Sequence, residues 1–416
     1  MYRDALVEHA IDASTELVAL CDPNAARLEH SASRIPDDQR TGVGLYDAAA
    51  FDRMIAERRP DTVIVTTPDF LHDAYIVQAL RAGCDVITEK PMTIDIARLK
   101  RIVDAQRETG RSVTVTFNYR YIPAHTQLKD LLLSGAIGEI TAVDFRWYLD
   151  RVHGADYFRR WHREKDKSGG LLVHKATHHF DLANWWVASR PETISALGSR
   201  RFYVPATAAA LGLGGHGERC HTCPVSARCD YRLDLAGDPE LKSLYLDAED
   251  ADGYIRDRCV FSSEISIEDT MQVQVGYANG VSMNYTLCAY SPWEGYEIVF
   301  YGTHGELDHR HVGVHGIFGG TRHEADDSAT TTMLHRHGEE PQPIEVWAGE
   351  GDHGGGDPVM LDQLLNPAAA PDRYGRRSSH LDGAWSILTG IASNVSMARG
   401  QTVQIAELLE DADIQI

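Results

Sequence analysis

The first third of the chain alternates short apolar runs with amphipathic stretches. Four runs are continuous and rich in β-branched residues, which is typical of parallel strands buried on both faces, and they cover residues 17–21, 63–67, 86–88 and 113–117. Between them, apolar residues recur every three to four positions, as they do along one face of a helix. The last of these stretches has Thr93 as a candidate N-cap and Gly110 as a candidate C-cap. The alternation predicts a Rossmann-type, doubly wound parallel sheet.

From about residue 120 the pattern changes to longer strands of alternating polarity. Residues 140–148 show it, and so do residues 270–287, which contain the hairpin signal Asn279-Gly280. Residues 381–398 have helical spacing and are expected to close this part of the chain. The pattern predicts a second α/β domain built on a large, mainly antiparallel open sheet.

These patterns divide the α/β chain into two predicted domains. We expect residues 1–119 to form a dinucleotide-binding, Rossmann-like domain and residues 120–416 to form the second α/β domain. Two irregular segments interrupt the second domain. One is a cysteine-rich insertion at about 205–259, and the other runs from residue 313 to about 377.

Composition and charge exclude several classes of protein. Hydrophobic residues make up 43% and charged residues 24% of the 416 positions, which are the values of an ordinary globular chain. The formal net charge of -21 repels nucleic-acid backbones and anionic lipid, so we expect neither nucleic acid nor membranes as partners. No apolar stretch approaches the ~20 residues of a bilayer span, and the N-terminus lacks a secretory pattern. We therefore expect a soluble, cytoplasmic protein.

The glycine-rich turn that binds phosphate in a Rossmann domain, Gly-x-Gly-x-x-Gly, is absent from the sequence, together with the strand that precedes it. Residues 1–11 have the spacing of the helix that should follow this turn. In the usual strand order the absent strand is central and lies between strands 17–21 and 63–67. We expect in-frame codons upstream of Met1 to encode it.

Ligands of a doubly wound sheet bind beyond the carboxyl ends of its strands, so the residues that follow each strand are candidates for binding. Asp22 follows the first predicted strand, where an acidic side chain accepts hydrogen bonds from the adenosine ribose of NAD; the alternative is a simple turn. Thr66-Thr67-Pro68-Asp69 and Glu89-Lys90-Pro91 follow the next two strands. Lys90 is either a solvated surface charge or, in a closed site, a group that transfers protons.

A further candidate group follows the Gly169-Gly170 pair. His174, His178 and Asp181 are spaced at i, i+4 and i+7, so one helix face would carry all three. The two histidines could bind zinc, a histidine with a nearby acid could shuttle protons, or the three residues could form a polar helix face. No glutamate lies between the histidines in the way that a zinc-dependent protease requires.

Four motifs in this order resemble the Gfo/Idh/MocA family of sugar and inositol oxidoreductases. They are the strand-Thr-Pro-His segment at residues 63–72, the Glu89-Lys90-Pro91 tripeptide, the Asn118-Tyr119-Arg120 segment, and the Gly-Gly run that ends in His178 and Asp181. The resemblance covers nearly the whole chain. It implies a Rossmann domain joined to an α/β domain whose open sheet forms subunit contacts, and hence a homo-oligomer, either a dimer or a tetramer.

The resemblance also implies a cofactor and site residues. NAD, in preference to NADP, would place its nicotinamide at the cleft, with Lys90 as a catalytic or substrate-positioning residue and His178 as acceptor of the substrate's hydroxyl proton. His174 and Asp181 would tune this relay; family members often carry an aspartate at the position of His174, so we expect a differently charged relay. The other implied cofactor contacts are Asp22, Thr66, Thr67, Pro68, Asp69, His72, Glu89, Lys90, Asn118 and Trp161. The implied substrate contacts are Arg120, Tyr148, His153 and His179.

Four cysteines cluster in and beside the insertion. Cys220, Cys223 and Cys229 are separated by two and five residues, and Cys259 follows thirty residues later. Four thiolates could bind a structural zinc tetrahedrally in a segment with little apolar core of its own. The spacing is less diagnostic than two Cys-x-x-Cys knuckles, and free thiols or a redox disulfide are the alternatives.

Together these features predict NAD-dependent oxidation of a secondary alcohol on a sugar, inositol or glycoside, or the reverse reduction of a ketone. The small-molecule partner would therefore be a sugar or polyol. The same chemistry supports an alternative enzyme, a redox-assisted glycosidase that retains NAD without net turnover. A sugar-binding or regulatory subunit without cofactor is the alternative from another functional class.

Overall fold

The computed structural model of the chain describes residues 1–8, 15–313 and 330–416, apart from the side chains of Asp352 and His353. The helices are α1 Tyr2–Glu8, α2 Ala25–Ser33, α3 Asp37–Arg40, α4 Phe51–Arg58, α5 His72–Arg81, α6 Ile96–Thr109, α7 Pro123–Leu133, α8 Arg151–Arg159, α9 Lys165–Ser168, α10 Leu171–His174, α11 Thr177–Val187, α12 Pro205–Ala210, α13 Pro239–Leu241, α14 Glu249–Asp252, α15 Gly356–Leu365, α16 His380–Arg399 and α17 Ile405–Asp411. The strands are β1 Ala19–Cys21, β2 Gly44–Tyr46, β3 Thr62–Val65, β4 Asp85–Thr88, β5 Val113–Val115, β6 Ile140–Asp150, β7 Pro191–Ser199, β8 Thr270–Tyr277, β9 Ser282–Ser291, β10 Glu294–Gly302, β11 Gly305–Gly313, β12 Thr331–Arg336, β13 Gln342–Ile344, β14 Ser378–Ser379 and β15 Val403–Gln404. The predicted helix at 1–11 and the predicted irregular segment at 313–377 lie partly outside the described residues.

The first domain alternates short strands with helices, which confirms the predicted Rossmann-type architecture. Strand β3 pairs in parallel with β4, and β4 pairs in parallel with β5. Strands β1 and β2 pair in parallel with each other and form a separate two-stranded sheet. That a further strand belongs between these two groups stays a prediction.

The ends of helix α6 show how local sequence sets the boundaries of an element. The Oδ1 atom of Asp95 accepts a hydrogen bond from the backbone nitrogen of Arg98 at 2.8 Å, so Asp95 is the N-cap. The prediction of Thr93 as N-cap is wrong, because the helix begins only at Ile96. At the other end Gly110 has a φ of 64°, the left-handed conformation that commonly follows a helix, as predicted.

Two segments from beyond residue 120 complete the first domain. Strand β14 pairs in antiparallel fashion with β5, so that Ser378 lies opposite Val115. Helices α1 and α15 pack together over β4, and the buried residues of this cluster are Tyr2, Ala5, Ile87, Leu361 and Leu365. The first sheet and its covering helices therefore include residues from both predicted domains.

Within the described residues, nine strands form the sheet of the second domain, in the order β13-β12-β11-β10-β6-β9-β8-β7-β15. Neighbours are antiparallel except for β6 and β9, which confirms the mainly antiparallel prediction. The predicted hairpin joins β8 to β9, and Gly280 in its turn has a φ of 86°. Helix α16 covers one face, where it meets β7 and the helices α10 and α11. The opposite face carries polar pairs such as Arg146 and Glu297, whose charged atoms are 3.4 Å apart.

Helix α16, of 20 residues, confirms the predicted helix at 381–398. A reciprocal capping box fixes its start: the Ser379 side chain accepts from the backbone of Leu381 and Asp382, and the Asp382 carboxylate accepts from the backbone nitrogen of Ser379 at 2.8 Å. Among the described residues, no helix combines the length and apolar character that crossing a bilayer would need.

The cysteine-rich insertion packs against both domains. Arg27 of α2 donates to the carbonyl oxygen of Leu244 at 3.2 Å, and the Asn24 side chain donates to that of Ala248 at 3.1 Å. Towards the second domain, Arg256 donates to the carboxylate of Asp156 in α8 at 2.7 Å. The insertion therefore crosses from the first domain to the wall of the second.

Candidate active site

The loops that follow β3, β4 and β5 meet at one edge of the first sheet. Thr66, Thr67 and Pro68 follow β3, Lys90 follows β4, and Asn118 follows β5. The residues that the sequence assigned to the cofactor from these three loops therefore lie along one edge, since parallel strands end on the same side of their sheet.

His72 connects two of these loops. Its Nε2 atom lies 2.7 Å from the carbonyl oxygen of Thr67, and its Nδ1 atom lies 2.8 Å from that of Pro91. Because both ring nitrogens face the backbone, this buried side chain sets the spacing of the two loops.

Two buried polar atoms at this edge have no hydrogen-bond partner among the described residues: Thr67 Oγ1 and Asn118 Oδ1. The Asn118 amide nitrogen donates to Asp357 at 2.7 Å, so only its oxygen is left over. A buried polar atom without a partner costs about 1–3 kcal/mol, which a polar ligand at the edge would recover. Asp22, half-buried after β1, accepts from the backbone nitrogen of Asn24 at 2.7 Å and lies at the carboxyl end of a strand of the separate two-stranded sheet. These groups fit a dinucleotide.

Glu89 and Lys90 form the centre of this edge. Glu89 accepts a hydrogen bond from the hydroxyl of Tyr2 at 2.8 Å. The partly buried Lys90 ammonium interacts electrostatically with Asp69, Glu89, Lys175 and Tyr119. Burial lowers the pKa of Lys90, while the two carboxylates raise it. A lysine in such a setting can change its protonation state during a reaction.

His174 forms a hydrogen bond across the cleft to Asp69. The distance between His174 Nδ1 and Asp69 Oδ2 is 2.5 Å, and both side chains are buried. Burial raises the pKa of Asp69, and burial and Lys90 lower that of His174. Trp161 packs edge-on against the His174 ring, with centroids 5.7 Å apart. The turn before His174 requires glycine: Gly169 has a φ of 70°, and a Cβ there would lie 2.9 Å from the carbonyl oxygen of Ile94.

One continuous helix from His174 to Asp181 was expected, and this prediction is wrong. Helix α10 ends at His174, and α11 begins at Thr177. In the intervening turn the backbone nitrogen of Ala176 donates to the carbonyl oxygen of Leu171 at 2.8 Å, five residues back, so the turn is one residue wider than an α-helical turn. The wider turn brings Lys175, which the sequence analysis did not single out, into the site.

His178, Tyr119 and Lys175 form a stacked group. The ring of His178 lies parallel to that of Tyr119, with centroids 4.0 Å apart and planes at 12°. Lys175 Nζ donates to the Tyr119 hydroxyl at 3.0 Å. Burial lowers the pKa of Lys175 to about 8, although the carboxylate of Glu294 raises it. The predicted proton acceptor thus lies one aromatic ring away from a buried ammonium group.

The aromatic stack continues on the sheet of the second domain. His179 is stacked on Trp147 at 3.9 Å between centroids, and its Nδ1 atom lies 2.6 Å from the hydroxyl of Tyr285. Burial lowers the pKa of His179 well below its ordinary value. Trp147 in turn stacks on Tyr296 at 4.7 Å. The predicted substrate contact His179 is therefore held between a ring and a hydroxyl.

Arg120 and Asp181, which the sequence assigned to substrate and relay, form one buried ion pair. The Arg120 guanidinium donates to both carboxylate oxygens of Asp181, at 2.7 and 2.6 Å, and to Asp382 at 2.9 Å. This pair joins α11 to the start of α16.

The remaining predicted substrate contacts lie at different depths. His153 is buried, with Nδ1 3.0 Å from Glu294 Oε1 and Nε2 2.9 Å from the hydroxyl of Tyr157. Tyr148 instead lies on the opposite face of β6 from the buried Trp147, and its hydroxyl donates to Glu297 at 3.3 Å. Alternation along the strand turns neighbouring side chains to opposite faces, so Trp147 and not Tyr148 faces the site.

The four clustered cysteines line one cavity in the insertion, together with His216. Cys259 Sγ lies 3.4 Å from His216 Nδ1, and Cys223 Sγ accepts from the backbone nitrogen of Gly217 at 3.3 Å. Burial raises the pKa of the Cys259 thiol to about 11. Among the described residues, no group of three or more metal-binding side chains has an arrangement that would hold an ion. The geometry therefore gives the zinc prediction no support.

Two protein-family models match the chain and together cover most of it. Residues 3–117 match an oxidoreductase family domain described as an NAD-binding Rossmann fold, and residues 129–405 match the C-terminal alpha/beta domain of the same family. The chain belongs to the Gfo/Idh/MocA oxidoreductase family. This confirms the resemblance drawn from the four motifs.

Individual relatives agree with this membership. The oxidoreductase YteT of Bacillus subtilis strain 168 is 35% identical over 412 residues, which cover 96% of this chain and 91% of YteT. An inositol 2-dehydrogenase of Rubrobacter xylanophilus is 27% identical over 188 residues, 44% of this chain and 48% of that enzyme. A levoglucosan dehydrogenase in complex with NADH and L-sorbose shares the fold, with a TM-score of 0.65 and 15% identity over 97% of this chain and 94% of that one.

Proposed function

We propose that this oxidoreductase uses NAD to oxidise a secondary alcohol of a sugar, inositol or glycoside, or to reduce the corresponding ketone. The observation that carries the proposal is the gathering of Lys90, the bonded pair Asp69 and His174, and the stacked His178 around one edge of the Rossmann sheet. The names of the inositol and levoglucosan dehydrogenases support a polyol or sugar as substrate.

In this proposal the side chains divide the work of moving one proton. His178 accepts the proton of the substrate hydroxyl, and Lys90 donates a hydrogen bond to the same oxygen as its charge develops. Asp69, which is hydrogen-bonded to His174, favours the charged form of Lys90. When bound, NAD supplies the hydride acceptor.

The residues near β1 favour NAD over NADP. A carboxylate such as that of Asp22 accepts hydrogen bonds from a ribose 2′-hydroxyl and repels a 2′-phosphate. Arg27 is the nearby cation that could offset this repulsion, but its guanidinium pairs with Asp252 at 2.5 Å and donates to Leu244. The positive charge of Arg27 is therefore paired with Asp252, which leaves it less able to offset the repulsion of a 2′-phosphate by Asp22.

The direct test is NADH formation with a panel of inositols, aldoses and glycosides, followed by absorbance. The proposal expects turnover with at least one secondary alcohol and its loss in Lys90→Met. Lys100→Met is the matched control, since Lys100 is a surface lysine on α6. Sugar binding without any NAD binding would contradict the proposal and favour the subunit without cofactor.

A second function, redox-assisted glycoside cleavage, has one observation in its favour. The insertion contacts α2 through Asn24 and Arg27, directly beside the Asp22 edge, and such a cover would slow the release of a bound dinucleotide. Oxidation of a hydroxyl to a ketone would acidify the adjacent C–H, and loss of that proton would expel the glycosidic substituent from the next carbon. Water would then add in its place, and the hydride held by a retained NAD would return to the ketone. Exchange of the hydrogen on the carbon next to the oxidised carbinol with solvent deuterium, together with glycoside cleavage and no NADH accumulation, would select this function over the dehydrogenase.

A further inference from the structure

Lys175 is a buried cation that the proposed reaction does not yet use. Its side chain is among the most enclosed charged groups of the described residues, with 3% of the residue exposed. Nζ donates to the Tyr119 hydroxyl at 3.0 Å and lies 5.2 and 5.3 Å from the ring centroids of Tyr119 and Trp147. An ammonium group loses most of its hydration at such a site, and these contacts replace only part of it.

The charged and titratable groups around Lys175 come from several elements. They are Lys90 after β4, His153 on α8, His174 on α10, His179 on α11, Glu294 on β10 and the hydroxyl of Tyr119. Glu294 favours the charged form of Lys175, whereas burial and Lys90 disfavour it. The site therefore carries two neighbouring lysines and several histidines whose pKa burial lowers.

One aromatic ring connects this ammonium group to the proton acceptor. The Tyr119 ring bears the hydroxyl that Lys175 contacts, and its face is stacked on His178 with centroids 4.0 Å apart. Phe117 packs edge-on against the same imidazole at 6.1 Å. A cation bonded to the hydroxyl withdraws electron density from the ring, so the ring face stabilises an imidazolium less well.

We propose that Lys175 is a positioning residue of the reaction, which acts through Tyr119 to keep the His178 imidazole oriented and neutral. This inference rests on the proposed function, in which His178 must be neutral to accept the hydroxyl proton.

The test compares Lys175→Met, Lys175→Arg, Tyr119→Phe and the double variant Lys175→Met/Tyr119→Phe. The first readout is the pH titration of the His178 imidazole by NMR in the complete protein, with His178→Gln used to assign the signal. Loss of the cation should raise the His178 pKa by on the order of one pH unit. Lys175→Arg, which keeps the charge, should leave it near the wild-type value. In the Tyr119→Phe background, Lys175→Met should add little, because the hydroxyl that transmits its effect is gone.

The second readout is the pH dependence of kcat/KM. Activity falls on the acid side as His178 becomes protonated, so a raised His178 pKa moves the acid limb of Lys175→Met to higher pH by the same amount. At neutral pH the variant should lose up to about tenfold in kcat/KM, and Lys175→Arg should recover most of it.

Lys129→Met is the matched control. Lys129 is also a buried lysine, its pKa is lowered to about 8 by burial, and its Nζ donates to the carbonyl oxygen of Trp185 with the Trp185 ring 5.5 Å away. A packing role for a buried lysine predicts similar changes in Tm for the two variants, with no shift of the His178 titration in either. Only the proposal predicts that shift in Lys175→Met alone.

An unchanged His178 titration in Lys175→Met would overturn the inference, as would an equal shift in Lys129→Met. The titration needs no turnover, so it can be read even if the wild-type protein reduces no NAD. That result would refute the proposed function and leave the link between Lys175 and His178 to be decided by the titration.

Discussion

His174 Nδ1 and Asp69 Oδ2 lie 2.5 Å apart and join the second domain to the loop after β3 of the first. Family members often place a carboxylate at the position of His174, and in this chain Asp69 supplies one from the opposite side of the cleft. The negative charge therefore remains beside Lys90, but it now belongs to the cofactor domain.

We predict that Asp69→Asn lowers the pKa of Lys90 further, because the carboxylate of Asp69 supports the charged lysine. If protonated Lys90 is required, the alkaline limb of the kcat profile should move to lower pH. His174→Gln should perturb the same limb, and the double variant should be less than additive because the two side chains share one hydrogen bond. Independent, additive effects on the pH profile would show that the pair does not act as a unit.

Lys90→Met and His178→Gln should each reduce kcat by on the order of 100-fold or more, since each removes a group from the proton-transfer step. NAD affinity should change only modestly, which fluorescence titration of the bound cofactor can measure. Near-normal turnover in either variant would contradict the assignment of that residue.

The Arg120 and Asp181 pair is predicted to serve stability. Arg120→Met leaves the buried carboxylate of Asp181 without its partner and should lower the free energy of unfolding by roughly 3–5 kcal/mol in denaturant titrations. Arg120→Met/Asp181→Leu should be less destabilised than Arg120→Met alone, because an apolar pair leaves no uncompensated charge. If Arg120→Met keeps the stability of the wild-type protein but raises the substrate KM, Arg120 would instead be a substrate contact, as the resemblance implied.

Asp22→Ala should narrow the preference for NAD over NADP. The change removes both the acceptor for a ribose hydroxyl and the charge that repels a 2′-phosphate. The ratio of kcat/KM values for the two cofactors should fall by on the order of tenfold or more, chiefly through weaker use of NAD. Asp47→Ala, which also removes an acid after a strand of the same small sheet, should leave the ratio unchanged.

The sequence predicted the features that depend on local order along the chain. Buried β-branched runs fix the strands of the first domain, and the strand ends then place Thr67, Lys90 and Asn118 together without further information. The hairpin at Asn279-Gly280 and the helix at 381–398 follow from turn chemistry and apolar spacing in the same way. These features need no knowledge of distant contacts.

The sequence did not predict features that depend on one-residue shifts or on remote partners. The wide turn at Ala176 breaks the expected helix and moves Lys175 inward, although a lysine beside two histidines reads as a surface residue. Neighbouring side chains on β6 face opposite sides of the sheet, so a shift of one residue decides which of them faces the site. The structure places Trp147 on that side and Tyr148 on the other. Glu294, which contacts His153, lies 141 residues away in sequence.

The pairing of β14 with β5, and of α15 with α1, has a consequence for synthesis on the ribosome. Chains emerge from the N-terminus at about 5–20 residues per second, and domains begin to fold as they emerge. Here the edge of β5 stays unpaired, and the apolar face of α1 stays uncovered, until residues 356–379 near the end of the chain have been made. The nucleotide-binding half therefore spends much of translation with an open sheet edge, and its backbone groups there are paired only when the last part of the chain has been made.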